Sequence, residues 1–374
     1  MIGFYLHVPF CAKVCAYCDF AVLAAPLRVQ RRYVELAQRE AQIRWSRDAK
    51  NQSIRTVYLG GGTPTELQAT DLGGLLDGMR AIGLIPPGLA EFSVECNPEN
   101  LTEDRLATLA ENGVDRFSLG VQTLSPRLLE AVGRKSDPDI SRAAVERLVK
   151  TGSRVSCDLM FSLPGQSVSQ FLADLEELTS MGVGHASFYG LSVEGNTLLG
   201  QQVSRGDVLA PDDLYADFYR QGVASLESKG IFRYEVSNFS RPGQEGIHNR
   251  SYWERREYLG IGPGAHSFLG GVRMGAPKAF SRWASWVEEG CPIAGMSLDP
   301  IGPAEARVEA IWLGLRQSAG LDLLAFEEEF SKGLDPKRWR EFELADQVRI
   351  QDGRLQITGE GFCWIDRIVQ TLLS

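Results

Sequence analysis

Short apolar runs alternate with longer stretches in which apolar residues recur every three or four positions, and this alternation fills the first 230 residues. The runs from Gly3 to Val8, Ile54 to Leu59, Ala90 to Glu95, Val114 to Leu119, Arg154 to Leu159 and His185 to Tyr189 predict β-strands. Between them, Tyr33, Leu36, Ala37 and Ile43 share one face of a predicted helix. Leu72, Leu75, Leu76 and Met79 do the same in the next, which Thr70 would cap. Glu103 to Asn112, Ile140 to Thr151 and Ser169 to Met181 continue the helical series. Strand–helix units joined by short glycine-marked turns predict an α/β fold with a parallel sheet, open or curled into a partial barrel. Near residue 300 the pattern changes. Ala304 to Ser318 and Leu321 to Ser331 predict helices, and two alternating segments around Asp352-Gly353 predict a hairpin before a last helix ending at Leu373. Helices followed by a hairpin suggest a small winged-helix-like unit. The expected organisation is a core over 1–230, a connecting region over 231–299 and a C-terminal unit over 300–374.

Composition narrows the function. A chain of 374 residues, 44% hydrophobic, can bury one large core and a smaller one. Its net charge of −9 repels phosphate backbones, so no nucleic-acid partner is expected and the C-terminal unit reads as a packing cap. No run of 18 apolar residues predicts a membrane span. The opening residues read as a strand and not as a signal peptide, so a cytoplasmic location is expected. Seven cysteines are present: Cys11, Cys15 and Cys18 cluster, while Cys96, Cys157, Cys291 and Cys363 are scattered. That distribution implies one metal site and ordinary thiols in a reducing compartment.

Cys11-x-x-x-Cys15-x-x-Cys18 places three thiolates on one loop after a strand. A [4Fe–4S] cube held by three cysteines keeps one iron for a small molecule. Structural zinc is the competing reading, but zinc takes four ligands, and the only nearby candidate, His7, lies in a strand. Gly60-Gly61-Gly62-Thr63-Pro64 ends the second strand, where backbone without side chains can approach a ligand. It fits neither the dinucleotide fingerprint nor the Walker sequence. Glu95, Gln122, Asp158 and Tyr189-Gly190 mark further strand ends, where ligand sites gather in parallel barrels. Taken singly, each is as well explained as a turn residue or a helix cap.

The cysteine spacing, with Tyr17 before the last cysteine, resembles the signature of the radical S-adenosylmethionine (SAM) superfamily. The resemblance implies a partial (βα)6 barrel, a [4Fe–4S] cluster on Cys11, Cys15 and Cys18, and SAM bound at the open iron. Reduction of SAM there yields a 5′-deoxyadenosyl radical. It further implies that Gly61, Gly62 and Thr63 receive the SAM amino group. Glu95, Gln122, Arg134 and Asp158 would contact its ribose, adenine or carboxylate, with Tyr5, Tyr17, Gly190 and His266 flanking. Beyond the cluster, Tyr5-x-His7-x-Pro9-Phe10-Cys11, Gly120-Val121-Gln122, Asp158-Leu159-Met160 and Leu163-Pro164-Gly165-Gln166 resemble the oxygen-independent coproporphyrinogen III oxidase-like family nearly end to end.

Two departures point to the haem chaperone branch of that family. The dehydrogenase has a further cysteine where this chain has Phe20, and an N-terminal arm ahead of the cluster where this chain has only ten residues. His248-Asn249-Arg250-Ser251-Tyr252-Trp253 resembles a motif of the chaperone branch. By that resemblance His248, Tyr252 and Trp253 would bind haem, the imidazole as axial ligand and the rings as flat faces. A histidine beside aromatics also reads as a hydrogen-bonded core residue. His266, close by in sequence, reads either as a second haem ligand or as a SAM-pocket residue, and the resemblance favours the pocket; His7 reads as a hydrogen-bonding neighbour of the cluster and His185 as structural. The expected function is binding haem as cargo for haem-requiring acceptors such as respiratory enzymes, with peripheral membrane association left open. The alternative is oxidative decarboxylation of coproporphyrinogen III.

Overall fold

Strand β1 (Ile2–Val8) sets a pattern repeated through the first half of the chain. Phe4, Leu6 and Val8 point to one face and are fully buried, while Gly3, Tyr5 and His7 point to the other. The computed structural model describes residues 1–134, 136–206 and 214–373. After β1 come α1 (Leu27–Asp48), β2 (Ile54–Gly61), α2 (Ala69–Ile82), β3 (Glu91–Cys96) and α3 (Glu103–Glu111). Then follow β4 (Arg116–Gln122), α4 (Pro126–Ala131), α5 (Pro138–Lys150), β5 (Arg154–Phe161), α6 (Val168–Ser180) and β6 (His185–Gly190). Strands β1 to β6 pair in chain order and every pair is parallel, the expected partial (βα)6 arrangement. Val57, Leu59, Val94, Phe117, Leu119 and Cys157 bury one face of the sheet in the main hydrophobic core. Alternate positions place Thr56, Tyr58, Ser93, Glu95, Ser118, Ser156, Asp158 and Ser187 on the opposite face, so the barrel interior is polar. Helix α2 begins at Ala69 with Gln68 before it and no side-chain cap, so Thr70 lies inside the first turn and does not cap it.

Residues 231–299, expected to connect two units, extend the same sheet at both edges. After α7 (Leu198–Arg205) and α8 (Tyr215–Glu227) come β7 (Phe232–Arg233), β8 (Asn238–Ser240), α9 (Ile247–Trp253) and β9 (Tyr258–Ile261). The segment ends with β10 (His266–Leu269), β11 (Val272–Gly275), α10 (Phe280–Glu288) and β12 (Ser297–Pro300). Among the described residues the sheet order is β12-β11-β10-β9-β1-β2-β3-β4-β5-β6-β8-β7. β9 runs parallel to β1, and β10 to β12 return antiparallel. A buried ion pair on α1 fastens the β9–β10 turn. Glu40 accepts from the Gly262 N–H at 2.9 Å and the Trp283 indole at 2.8 Å. Arg44, one turn along, donates to the Gly260 carbonyl at 2.7 Å and to Ser267 Oγ at 2.9 Å.

The C-terminal unit comprises α11 (Pro303–Leu315), β13 (Leu321–Asp322), α12 (Leu323–Phe330), α13 (Arg340–Leu344), β14 (Val348–Gln351), β15 (Arg354–Ile357) and α14 (Ile365–Leu373). Asp352 and Gly353 join β14 to β15 with φ of 51° and 73°, the left-handed pair that a two-residue hairpin turn requires. Leu321 and Asp322 leave the predicted helix to form β13, and Asp322 caps α12 by accepting from the Ala325 N–H. Among the described residues no helix is long and apolar enough to cross a membrane.

Candidate functional site

Strand β1 delivers the chain to Cys11, and the loop beyond it folds back on the strand's end. The Leu23 N–H donates to the Pro9 carbonyl, and the Cys11 N–H to that of Leu23. Cys11, Cys15 and Cys18 all lie on this loop, partly exposed. The loop rests on the end of β2, where the Thr63 N–H donates to the Phe10 carbonyl at 2.7 Å. A Cβ on Gly62 would lie 2.6 Å from the Phe10 oxygen, and one on Gly61, whose φ is +111°, would lie 2.5 Å from the His7 ring. Gly62 is needed where two backbones touch, and Gly61 where the His7 ring packs against backbone. Gly62→Ala is expected to cost about 1–3 kcal/mol of stability by overpacking and to lower iron bound per chain. Urea unfolding and iron analysis check this; a parent-like midpoint with parent-like iron would remove the close approach as the reason for Gly62.

A hydrogen-bonded belt ties the loop to the strand ends. Thr63 Oγ1 lies 3.8 Å from Cys11 Sγ and accepts from Asn97 at 2.8 Å. Arg134 donates to Asn97 at 2.7 Å and to the Gly120 carbonyl at 2.6 Å. Tyr17 lies against both Arg134 and Cys15, closing the belt. Burial pushes the Cys11 thiol up to about 11 and raises that of Cys18, and the neighbouring thiols reinforce both shifts. Metal would therefore enter by displacing protons. Three thiolates on one loop fit a cube, in which each thiolate takes a separate iron. Among the described residues no three His, Cys, Asp or Glu side chains converge as they do around a single ion.

Two half-buried carboxyl groups stand inside the barrel mouth. Glu95 accepts from the Tyr58 hydroxyl at 2.8 Å and from the Gly61 N–H at 3.0 Å. Asp158 accepts from Ser118 Oγ at 2.8 and 3.0 Å and from Ser156 Oγ at 3.5 Å. Burial raises Glu95 to about 7, against the pull of its donors, with the Asp158 charge adding to the rise. Burial likewise raises Asp158 to about 6, opposed by Ser118, Ser187, Ser156 and Arg134. Both values lie above the ~4 of an unfolded chain. Between about pH 4 and 7 the folded protein thus holds more protons than the unfolded one, and the stability these groups contribute falls as pH rises. Asp158→Asn is expected to gain stability relative to the parent on going from pH 5 to pH 8 without SAM. Urea midpoints that stay parallel across that range would contradict this.

A cavity of about 930 Å³ opens beside the cysteine loop, and Tyr5, Gly61, Glu95, Tyr252 and His266 all line it. Cys11, Thr63, Arg134, Tyr17 and Cys15 meet in the belt, and Arg134 reaches Asp158 electrostatically. Gln122 sits at a register shift of β4 with φ of 68°. Gly190 is closed off: the Tyr215 ring packs against the space its Cβ would take. Trp253 does not line the cavity, and its carbonyl accepts from Gln317 at 3.3 Å.

His248 departs most from expectation. It has no exposed surface, and it lies against Gly3 and Thr56, toward the N-terminal ends of the strands and away from the cysteine loop. Nδ1 is 2.9 Å from Thr56 Oγ1 and Nε2 is 2.8 Å from the Tyr252 hydroxyl, so both ring nitrogens are engaged. Burial lowers its pKa to about 3, and the ring stacks on Tyr58. Glu91, buried, holds the helix in place by accepting from the N–H groups of Ile247 and His248, each at 2.9 Å. His248 is here a neutral support for Tyr252, not an open ligand. Asn97, Tyr58 and Glu91 escaped the sequence reading. Tyr58 and Asn97 carried a usable signal, since period two puts Tyr58 on the face of Thr56 and Asn97 follows Glu95 by two residues.

A family model described as the Radical SAM superfamily matches residues 5–178. The heme chaperone HemW of Mycobacterium tuberculosis (strain CDC 1551 / Oshkosh) is 35% identical, over 100% of this chain and 95% of its own. That of Bacillus subtilis (strain 168) is 33% identical, over 88% of this chain and 87% of its own. Among solved structures, the coproporphyrinogen III oxidase HemN from Escherichia coli, a radical SAM enzyme, superposes with a TM-score of 0.86. The match covers 100% of this chain and 90% of that one at 19% identity, which establishes a common fold.

Proposed function

The chain belongs to the radical SAM superfamily and, within it, to the heme chaperone family, and from that premise we propose that it binds haem as cargo and hands it to haem-requiring proteins. The observation that carries this reading is the single cavity in which Tyr5, Gly61 and Glu95, beside the cysteine loop, face Tyr252, Tyr258 and Phe268 of the sheet extension. Its volume, about 930 Å³, lies at the upper end of the ~300–1,000 Å³ usual for small-molecule sites. Cys11, Cys15 and Cys18 would hold a [4Fe–4S] cluster. SAM would lie along Tyr5, Tyr17, Gly61, Gly62, Thr63, Glu95, Gln122, Arg134 and Asp158. When bound, the two supply one-electron chemistry at the SAM sulfonium.

The chain itself fixes the thiols through the Thr63–Asn97–Arg134 belt and keeps Glu95 and Asp158 in a partly enclosed mouth, where hydrogen bonds to ribose or amine are stronger than in open water. Tyr252, held by His248, offers haem a flat wall. We place this work in the cytoplasm, with respiratory enzymes among the acceptors and contact with a membrane surface where those acceptors reside.

Protein purified anaerobically with its cluster and SAM, titrated with haem, should give a saturable Soret change and then transfer haem to apomyoglobin. Absence of any Soret change beyond free haem would overturn the proposal. So would stoichiometric conversion of coproporphyrinogen III to protoporphyrinogen under the same conditions.

A further inference from the structure

The chain has four histidines, and three have no ring nitrogen to offer. His7 is engaged by the Tyr5 hydroxyl and the Ala21 carbonyl, both at 3.0 Å. His185 is engaged by Ser156 at 2.7 Å and Tyr234 at 2.9 Å, and His248 by Thr56 and Tyr252. All three are buried. His266 differs on every count. It is exposed at the start of β10, it stands on the wall of the 930 Å³ cavity, and neither ring nitrogen hydrogen-bonds to another described residue.

Its position is built. The imidazole rests over Gly275, where a Cβ would lie 3.1 Å from His266 Cε1, so the bare backbone gives the ring its place. The preceding turn is clamped through Gly262 to Glu40 and through Gly260 to Arg44. The same cavity presents the exposed ring of Phe20 and the ring of Tyr252. It also presents cations. Arg273 is neutralised by Glu309 at 2.7 Å and Asp299 at 3.3 Å. Arg256 pairs at 2.6 Å with Glu254. Lys278 is exposed and donates to the Asp19 carbonyl at 3.1 Å, with no carboxylate partner among the described residues.

We propose that His266 is the axial ligand of haem iron, with the porphyrin lying in this cavity among Phe20 and Tyr252 and its propionates turned toward Lys278. The assignment rests on the haem-chaperone reading and deepens it by naming the ligand. An imidazole with two open nitrogens is a good axial donor, an aromatic wall suits the macrocycle, and an unpaired ammonium suits a carboxylate.

The test is a haem titration of cluster-loaded protein followed by difference absorption and electron paramagnetic resonance. His266→Ala should displace the Soret band and weaken affinity at least about tenfold, the loss of a coordinate bond. Imidazole added to His266→Gly should restore the parent spectrum. Lys278→Glu should weaken affinity and leave the band position unchanged. Parent protein that binds no haem would sink the chaperone reading itself. Parent protein that binds haem while His266→Ala keeps its spectrum and affinity, or loses only SAM affinity, would overturn the ligand assignment alone.

Discussion

With Cys11, Cys15 or Cys18 replaced singly by serine, anaerobically reconstituted protein is expected to retain less than about one tenth of the parent's iron and sulfide and to lose the broad absorbance near ~400 nm. A three-thiolate site has no spare ligand, and a serine oxygen is a harder, poorer donor to iron. The fold should survive, because these cysteines are only partly buried and stand apart from the main core. The loop keeps its backbone anchors at Pro9, Leu23 and Phe10. Cys157→Ser provides the contrast. That thiol is fully buried in the sheet, so the variant should keep its iron and lose about 1–3 kcal/mol from an added hydroxyl in an apolar setting. Serine variants of the loop that carry parent levels of iron and sulfide would end the cluster assignment.

The parallel half of the sheet could be read from residues because each strand, at six to eight residues, is long enough to show its period. Strands β7 to β12 could not. They are two to four residues long, and the partners that order them, such as β1 for β9, come from distant parts of the chain. The cysteine loop was legible for the same reason that it is local. His248 was not, because its role is decided by Thr56, 192 residues away, and by Tyr252 one helical turn on. Sequence places an imidazole beside aromatic residues and cannot say whether its nitrogens are spent. His266 shows the converse: the glycine-rich turn before it stands out in the sequence, but the clamping of that turn by Glu40 and Arg44 and the approach of Gly275 to the ring come from distant elements.

Arg44→Met is expected to cost about 3–5 kcal/mol at pH 8, a large share of the ~5–15 kcal/mol that holds a domain together. Arg44 and Glu40 have no exposed side-chain surface. Without the guanidinium, the Glu40 carboxylate keeps the Gly262 N–H and the Trp283 indole as donors but has no cation. The Gly260 carbonyl and Ser267 Oγ each lose the guanidinium as a donor and keep the weaker bonds between Ser267 and the Gly260 backbone. Burial already raises the Glu40 pKa, and Arg44 is the largest influence opposing it, so its removal raises the carboxyl further. A raised folded-state pKa contributes stability below the unfolded value that is lost as pH rises through the folded one. The deficit of Arg44→Met should therefore be smaller at pH 5 than at pH 8. Glu40→Gln added to Arg44→Met removes the stranded charge and should recover part of the loss, giving a coupling measurable by a double-mutant cycle. Because this pair clamps the turn before His266, the single variant should also weaken haem binding while the cluster on its separate loop keeps its iron. Urea midpoints for Arg44→Met within about 1 kcal/mol of the parent at pH 8, well short of the cost of stranding a buried charge, would show that the pair does not hold the turn.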